Sequence, residues 1–521
     1  MLENAARIYY RGANKSCNYS CSYCPFAKHR ASTEEIHLDQ RALEQFCDAI
    51  ERITFKGSVD LLFIPYGESL IYDHTIRAMA RLSKKTAIRH IGCQTNLSWD
   101  VPHFFKLLQE GQAVLEKIKL WCSYHPEMTT QSAFLGKMDQ LYGRIAFSVG
   151  AVGDPANIGA VTALRKALPR GVYLWINKMD GLKRRYTIEE INQWQMIDPL
   201  FELELHESSS NLGCLAGKEN FGIEATGDIF ACIRSKYKLG NLFQPEHHLP
   251  QKVGDDPARN MDGFPVANLC KRKSCDCYLA YSNLSQLKSL RLFGKQVPFR
   301  IMDRIATEAL FFDVDGTLLT SEKGIDKTVE ETLAYLARSK KLYLATSLPY
   351  KIAMKKCRSI RHLLSGGIFS GGAQIFDFET CYEKTFFLEA QAAEFLKQQP
   401  QAYYYEINER IYKMTFRMGE HKQKAFIEKL DPLYKETLNI SNEKNVLSIT
   451  DKSITKLSGI LLLCRHKGIQ ENRVIVVGNG INDIPMLQHF EYSIATPRAA
   501  GEIRNWAKFT LMIEHLPLII A

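Results

Sequence analysis

The sequence predicts an α/β protein made of two parallel-sheet units in tandem, and three observations lead there. Apolar runs of strand length alternate with amphipathic stretches from residue 7 to about 195, and strand-like runs resume at residue 309. Such alternation predicts parallel strands joined by helices, with ligand sites at the carboxyl ends of the strands. Two chemically distinct loops follow strand candidates: Ser16-Cys17-Asn18-Tyr19-Ser20-Cys21-Ser22-Tyr23-Cys24-Pro25, and Asp313-Val314-Asp315-Gly316-Thr317. Finally, 521 residues exceed what one core holds, since single cores rarely grow past about 250–300 residues.

In the first half the strand candidates are 7–10, 59–65, 88–95, 118–124, 144–149 and 172–177. Asp39 reads as a helix N-cap, because Leu43, Phe46, Ile50 and Ile53 recur after it at helical spacing. Further helices are expected over 73–83, 157–167 and 188–195. In the second half, 309–312, 342–345 and 474–477 are apolar runs that read as core strands, while 402–406, 411–416 and 446–449 suggest an inserted α+β cap.

Composition bounds the function. Hydrophobic residues at 45% and charged residues at 24% are ordinary for a globular protein. The net charge of +10 suits anionic substrates. No basic run is interleaved with aromatics, so nucleic acid is not an expected partner. Met1-Leu2-Glu3-Asn4 opens no basic-then-apolar segment, and no apolar run approaches the roughly 20 residues of a membrane span. Fourteen cysteines without a secretory signal argue for metal ligation in a reducing, cytoplasmic compartment.

The first loop spaces its cysteines C-x3-C-x2-C, with Tyr23 before the last. Three thiolates fit three corners of a [4Fe–4S] cluster and leave the fourth iron open. A zinc loop is the alternative, although zinc more often takes paired C-x2-C hooks. The spacing resembles the signature of the radical S-adenosylmethionine (radical SAM) superfamily. That resemblance implies a partial (β/α)6 barrel over residues 1–205, with Cys17, Cys21 and Cys24 on the cluster and S-adenosylmethionine on its open iron. Pro65-Tyr66-Gly67-Glu68-Ser69-Leu70 resembles the family's Gly-Gly-Glu motif, with Tyr66 in place of the first glycine. It implies that Gly67 and Glu68 meet the methionine ammonium. Tyr23 and Asn96 are expected beside the cofactor, and Ser148 and Asn177 near its ribose or adenine. For each of these polar residues a purely structural role is the alternative. His125, in Ser-Tyr-His-Pro, is either a substrate contact or proton carrier, or a turn histidine.

A second cysteine set follows. Cys214 and Cys232 stand in C-x12-G-x4-C around a Thr226-Gly227-Asp228 turn, and Cys270, Cys275 and Cys277 follow in C-x4-C-x-C. The pattern resembles the twitch region, the shortened SPASM extension, over residues 206–285. It implies an auxiliary [4Fe–4S] cluster on Cys214, Cys232 and two of the three later cysteines; a zinc knuckle on the same ligands remains open. Further strings, among them Tyr23-Cys24-Pro25-Phe26-Ala27-Lys28, Gln94-Thr95-Asn96-Leu97-Ser98 and Leu120-Trp121-Cys122-Ser123-Tyr124-His125-Pro126, resemble a small bacterial family of radical SAM proteins of unassigned reaction. A low-potential electron donor, such as flavodoxin or ferredoxin, is the implied partner.

Residues 286–307 read as a basic connector. In the second unit, 308–521, two aspartates one residue apart end an apolar strand, a pairing suited to a carboxylate nucleophile and a carboxylic proton donor. This resembles motif I of the haloacid dehalogenase (HAD) superfamily, with Asp313 as nucleophile and Asp315 as general acid/base. Thr346 at the end of a strand, Lys456 (or Lys452) before a helix, and Gly478-Asn479-Gly480-Ile481-Asn482-Asp483 match the remaining motifs in order. The implied magnesium ligands are Asp313, the Asp315 carbonyl, Asn479 and Asp483. Asn479 departs from the family's aspartate, which predicts weakened magnesium binding. A cap at about 350–450, between the second and third motifs, resembles the Cof-like branch, which acts mostly on small phosphorylated metabolites.

The expected function is therefore a bifunctional enzyme: hydrogen abstraction by a 5′-deoxyadenosyl radical, coupled to dephosphorylation of a small phosphorylated metabolite. The alternatives are a peptide-modifying radical enzyme, or a radical enzyme with a degenerate, phosphate-sensing HAD domain.

Overall fold

In a computed structural model of the chain, the described residues are 2–26, 29–201, 214–233, 238–244, 293–302, 304–320, 324–443 and 445–521. Cys270, Cys275 and Cys277 lie outside them. The chain divides into two units, Met1–Asp303 and Arg304–Ala521. Among the described residues no helix is long and apolar enough to cross a membrane.

The first unit runs β1 (Arg7–Arg11), α1 (Thr33–Arg52), β2 (Val59–Phe63), α2 (Asp73–Ser83), β3 (Ile88–Thr95), α3 (Val101–Glu110), β4 (Ile118–Tyr124), α4 (Gln131–Leu141), β5 (Ala146–Val152), α5 (Ile158–Ala167), β6 (Leu174–Asn177) and α6 (Ile188–Ile197). Helical crossovers leave neighbouring strands parallel, so the sheet runs β6-β5-β4-β3-β2-β1 without reversal. That is the strand order a partial (β/α)6 barrel requires. Every residue of β1 and β2 is buried, as expected for strands covered on both faces. The hairpin expected around Thr226-Gly227-Asp228 forms as β7 (Asn220–Glu224) and β8 (Asp228–Phe230), with Gly227 at φ +81°. β7 pairs in parallel with β1, and β9 (Lys238–Asn241) completes the edge.

Two expectations are corrected in this unit. Asp39 is not a helix N-cap. Ser32 caps α1 and forms a reciprocal capping box with Glu35, while Asp39 lies inside the helix, buried. There it accepts the Asn14 amide at 2.8 Å and pairs with His74 at 2.9 Å. Nor are residues 286–307 a free connector throughout. Phe293, Val297 and Phe299 are buried, and among the described residues 293–302 belong to the first unit and 304–307 to the second.

The second unit runs β10 (Ala309–Phe312), α7 (Lys327–Leu336), β11 (Lys341–Ala345), α8 (Tyr350–Lys356), β12 (Gly366–Phe369), β13 (Gln374–Asp377), β14 (Tyr382–Thr385), α9 (Ala390–Lys397), β15 (Ala402–Ile407), β16 (Arg410–Arg417), α10 (Glu420–Lys429), α11 (Pro432–Thr437), β17 (Leu438–Glu443), β18 (Val446–Asp451), α12 (Lys456–Lys467), β19 (Val474–Gly478), α13 (Ile484–His489), β20 (Tyr492–Ala495), α14 (Gly501–Trp506) and β21 (Phe509–Thr510). Its main sheet is β14-β13-β12-β11-β10-β19-β20-β21. β10 has β11 on one side and β19 on the other, both parallel to it, so the order reverses at the strand that carries Asp313. A separate antiparallel sheet, β15-β16-β18-β17, forms the cap. The cap is thus narrower than expected: residues from 350 to 385 supply α8 and β12–β14, and those strands extend the main sheet.

Candidate active sites

The cysteine loop leaves β1 and is fastened before the first cysteine. Asn14 accepts the Ser16 amide at 2.8 Å and the Ser16 hydroxyl at 2.6 Å. The Cys17 amide donates to the His29 carbonyl at 3.0 Å, and the Glu68 amide donates to the Ser16 carbonyl at 3.2 Å. A Cβ on Gly67 would lie 1.7 Å from that Ser16 oxygen, so only glycine lets the end of β2 meet the loop. Farther along, the Ser22 amide and hydroxyl donate to Glu127 at 2.7 and 2.6 Å, and the Tyr23 hydroxyl meets His125 Nδ1 at 2.9 Å. Asn96 Nδ2 donates to Asn18 Oδ1 at 3.0 Å, and Asn18 Nδ2 donates to Ser98 at 2.8 Å. Strand ends β2, β3 and β4 therefore all grip the loop.

Cys17, Cys21 and Cys24 line one cavity of about 200 Å³ at the carboxyl ends of the strands. Tyr23, Gly67, Glu68, Asn96 and Asn177 line it too, together with His125. Ser148 does not. It sits near the start of β5, fully buried, donating to the Phe299 carbonyl at 2.7 Å, and the cavity is reached only at Ala151 and Val152. Glu68 is 1% exposed, and its carboxylate is turned to other donors: the Leu70 amide at 2.9 Å, the Thr95 hydroxyl at 2.9 Å and the Asn96 amide at 2.5 Å. It ties the end of β2 to the end of β3. Burial pushes it up to about 7. Burial also raises the Cys17 thiol and pushes Cys21 up to about 11, so a bound cation is needed to hold these groups as thiolates. His125 is driven the other way by burial, to about 4, with Glu127 opposing, and is neutral at pH 7.

Among the described residues no group of three or more His, Cys, Asp or Glu side chains could hold a single metal ion. A four-iron cluster spreads its thiolates wider than one ion does, and three thiols on one cavity wall are the donor set it takes. Cys214 and Cys232 are both half-buried, Cys232 just beyond β8. Their expected partners lie outside the described residues.

The second site is a charge cluster. Asp313 follows β10; Lys456 opens α12, where Thr455 caps the helix; Asp483 precedes α13. Lys456 Nζ donates to Asp313 at 2.8 Å and to Asp483 at 2.8 Å, with all three groups buried. Burial, then Asp483, pushes Asp313 up to about 7 against Lys456. Burial alone would lower Lys456, but the two carboxylates outweigh it and hold it above its ordinary range. Asp483 also accepts the Asn479 and Gly480 amides, each at 2.9 Å. The Thr317 hydroxyl lies 3.4 Å from Asp313 Oδ2 and 3.1 Å from Asn479 Oδ1, so those two oxygens converge. Gly316, at φ +81°, makes room: a Cβ there would sit 2.1 Å from the Asn479 amide nitrogen. These oxygens suit a hard cation, with one negative charge fewer than three carboxylates would give.

Asp315 is exposed and pairs with Lys356 of α8 at 2.7 Å. Thr346 is buried, its hydroxyl accepting the Leu348 amide at 3.1 Å. Two contacts had no signal in the sequence. Asn482 donates to the Ser347 hydroxyl at 2.7 Å, and Lys413 of the cap strand β16 donates to the Ser347 carbonyl at 2.5 Å.

Comparison with known proteins follows this division. The radical SAM superfamily model matches residues 14–116, and the haloacid dehalogenase-like hydrolase model matches residues 380–514, which include Lys456, Asn479 and Asp483. A "Putative phosphatase" of Haemophilus influenzae is 38% identical over 63 residues, 12% of this chain; the match spans 24% of that relative's length. Similar solved structures include a HAD subclass IIB sugar phosphatase (23% identity, 40% of this chain, 95% of that one, TM-score 0.35). A HAD-superfamily phosphatase from Bacteroides thetaiotaomicron is 17% identical over 41% of this chain and 92% of that one, with a TM-score of 0.35. The chain thus carries a radical SAM domain in its N-terminal unit and a haloacid dehalogenase-like hydrolase domain in its C-terminal unit.

Proposed function

We propose that the chain is bifunctional, carrying out a radical SAM reaction and removing phosphate from the same small metabolite. The observation that carries this reading is the presence, in one chain, of a three-thiol cavity and of an Asp313–Lys456–Asp483 cluster, each at the carboxyl end of a parallel sheet. A covalent link raises the local concentration of an intermediate passed between them.

In the first unit Cys17, Cys21 and Cys24 would hold the cluster, with Gly67 bracing their loop and Asn96 and Asn177 facing S-adenosylmethionine. When bound, cluster and cofactor supply the one-electron chemistry of hydrogen abstraction. A low-potential flavodoxin or ferredoxin delivers the electron. Neutral His125, hydrogen-bonded to Tyr23, can accept or release a proton at the cavity wall. Cys214 and Cys232, with two of the three later cysteines, hold an auxiliary cluster.

In the second unit the Asp313 carboxylate attacks phosphorus, breaking the bond to the leaving oxygen, and Asp315 protonates that oxygen. Water then releases phosphate from the aspartyl-phosphate and returns Asp313. Lys456 keeps Asp313 ionised for attack and faces the phosphoryl charge, and Thr346 holds a phosphoryl oxygen. Magnesium held by Asp313, the Asp315 carbonyl, Asp483 and Asn479 would neutralise further charge. A phosphate-sensing role for this unit rests on Asn479 alone.

The test is a screen of sugar phosphates and related metabolites at varied magnesium. Turnover that Asp313→Asn abolishes is expected, and no turnover at any magnesium concentration would refute the phosphatase half.

A further inference from the structure

Residues 293–300 were expected to connect the units, yet they fill one face of the first sheet. Gln94 of β3, Ser123 of β4, Val152 of β5 and Asn177 of β6 all line the cavity. Side chains two residues apart share a face of a strand. One step below these four stand Gly92, Trp121, Gly150 and Trp175, and Trp175 itself reaches the cavity. The segment 293–300 lies against this lower layer. A Cβ on Gly92 would lie 2.7 Å from the Phe299 ring, so glycine clears that space. The Ser148 hydroxyl holds the Phe299 carbonyl at 2.7 Å, and Phe293 packs edge-on against Tyr173 at 4.9 Å.

Arg300 completes the layer. Its guanidinium carbon lies 4.4 Å from the Trp175 ring centre and 5.1 Å from that of Trp121, and the two indoles are 4.4 Å apart. Arg300 is 1% exposed and stands at φ +53°, a conformation that non-glycine residues keep only where their surroundings impose it. Asp198 supplies opposite charge: burial raises its carboxyl, the Arg300 charge is among the groups opposing that rise, and it accepts the Ile176 amide at 2.7 Å, one residue from Trp175. Gly150 makes space for the indole, since a Cβ there would sit 2.3 Å from Trp175 Nε1.

We propose that Arg300 is a positioning residue for the radical site: through Trp175 it sets the floor of the cavity on which the nucleoside end of S-adenosylmethionine rests. The segment 293–300 is then an internal part of the radical unit. The inference rests on the cavity being the S-adenosylmethionine site.

The test uses the full chain, reconstituted anaerobically, reading the Kd of S-adenosylmethionine by equilibrium dialysis without reductant, and 5′-deoxyadenosine formation with dithionite. Kd should rise as KM does, and an unchanged Kd in Arg300→Met overturns the proposal. Arg300→Met is expected to raise the KM for S-adenosylmethionine about tenfold with kcat within about twofold, and Arg300→Lys, which keeps charge but loses the planar stack, about threefold. Gly150→Ala, whose Cβ would crowd Trp175 Nε1 at 2.3 Å and Trp121 Nε1 at 2.9 Å while leaving the Arg300 side chain itself unchanged, is expected to raise the same KM. Iron content and hydrolysis of p-nitrophenyl phosphate should be unchanged in all three. An unchanged KM in iron-loaded Arg300→Met, or a kcat loss with KM unchanged, would overturn the proposal. If Arg300→Met does not fold, Arg300→Lys and Gly150→Ala decide by the same criterion. A wild-type chain that loads iron and makes no 5′-deoxyadenosine would instead overturn the reading of the cavity.

Discussion

The two sites solve opposite electrostatic problems. In the first unit the cysteine thiols and the imidazole on the cavity wall are neutral when no cofactor is bound: burial raises the Cys17 and Cys21 thiols and holds His125 neutral. Such a cavity is built to receive charge from a cofactor. In the second unit the charge is already present and already balanced, because Lys456 bridges Asp313 and Asp483 at 2.8 Å each. Where a cofactor brings the chemistry, the chain gathers ligands and excludes water. Where side chains do the chemistry, the chain must keep a buried carboxylate ionised, and a buried cation does it.

That contrast can be broken at four strengths. The largest effects should be mutually exclusive. Cys24→Ser should abolish 5′-deoxyadenosine formation and leave phosphate release intact, whereas Asp313→Asn should lower phosphate release at least about a thousandfold and spare 5′-deoxyadenosine. Loss of both activities in either variant would mean that the sites are not separable.

Next, Lys456→Met removes the internal counterion. Phosphatase turnover should fall about a hundredfold, and two uncompensated buried carboxylates should destabilise the second unit by about 3–5 kcal/mol in denaturant unfolding. Unchanged stability would mean that the carboxylates are not held ionised by Lys456.

A smaller effect is expected at Asn479. Restoring a carboxylate with Asn479→Asp should lower the magnesium concentration for half-maximal thermal stabilisation about tenfold. No change would show that the amide is not what limits cation binding.

The smallest effect is in pH. His125 has a folded value of about 4 against an ordinary 6.5, so the unfolded chain binds the proton first as pH falls. Its contribution is intact above pH 6.5 and is lost on acidification toward 4; at pH 5.5 the cost should be about 1 kcal/mol relative to His125→Gln. Equal pH dependence in the two proteins would place His125 in water.

The sequence was most legible where local pattern and tertiary need coincide. The strands at 88–95 and 118–124 and the helix at 73–83 are apolar or amphipathic over their whole length, and they form as read. Asp39 misled because a carboxylate ahead of a helical repeat looks like a cap, while the real cap, Ser32, is followed by the polar Thr33-Glu34-Glu35. Ser148 misled because the fifth strand was read as ending at 149, whereas β5 runs from Ala146 to Val152 and leaves Ser148 near its start. The helices at 101–110 and 131–141 went unread; the second has a weak apolar stripe of Phe134, Met138 and Leu141. Residues 293–300 looked like a connector because their basic and polar neighbours hid Phe293, Val297 and Phe299. Lys413 and Lys356 meet their partners across 66 and 41 residues, which no local pattern encodes.

The most direct test of the central claim is to reconstitute the full chain anaerobically and follow both products from one preparation: 5′-deoxyadenosine with a low-potential reductant, and phosphate from a phosphorylated substrate. The account predicts both, with about eight irons per chain if the auxiliary cluster forms beside the first. A chain that loads the cluster on Cys17, Cys21 and Cys24 yet yields no 5′-deoxyadenosine under any reducing condition would contradict it.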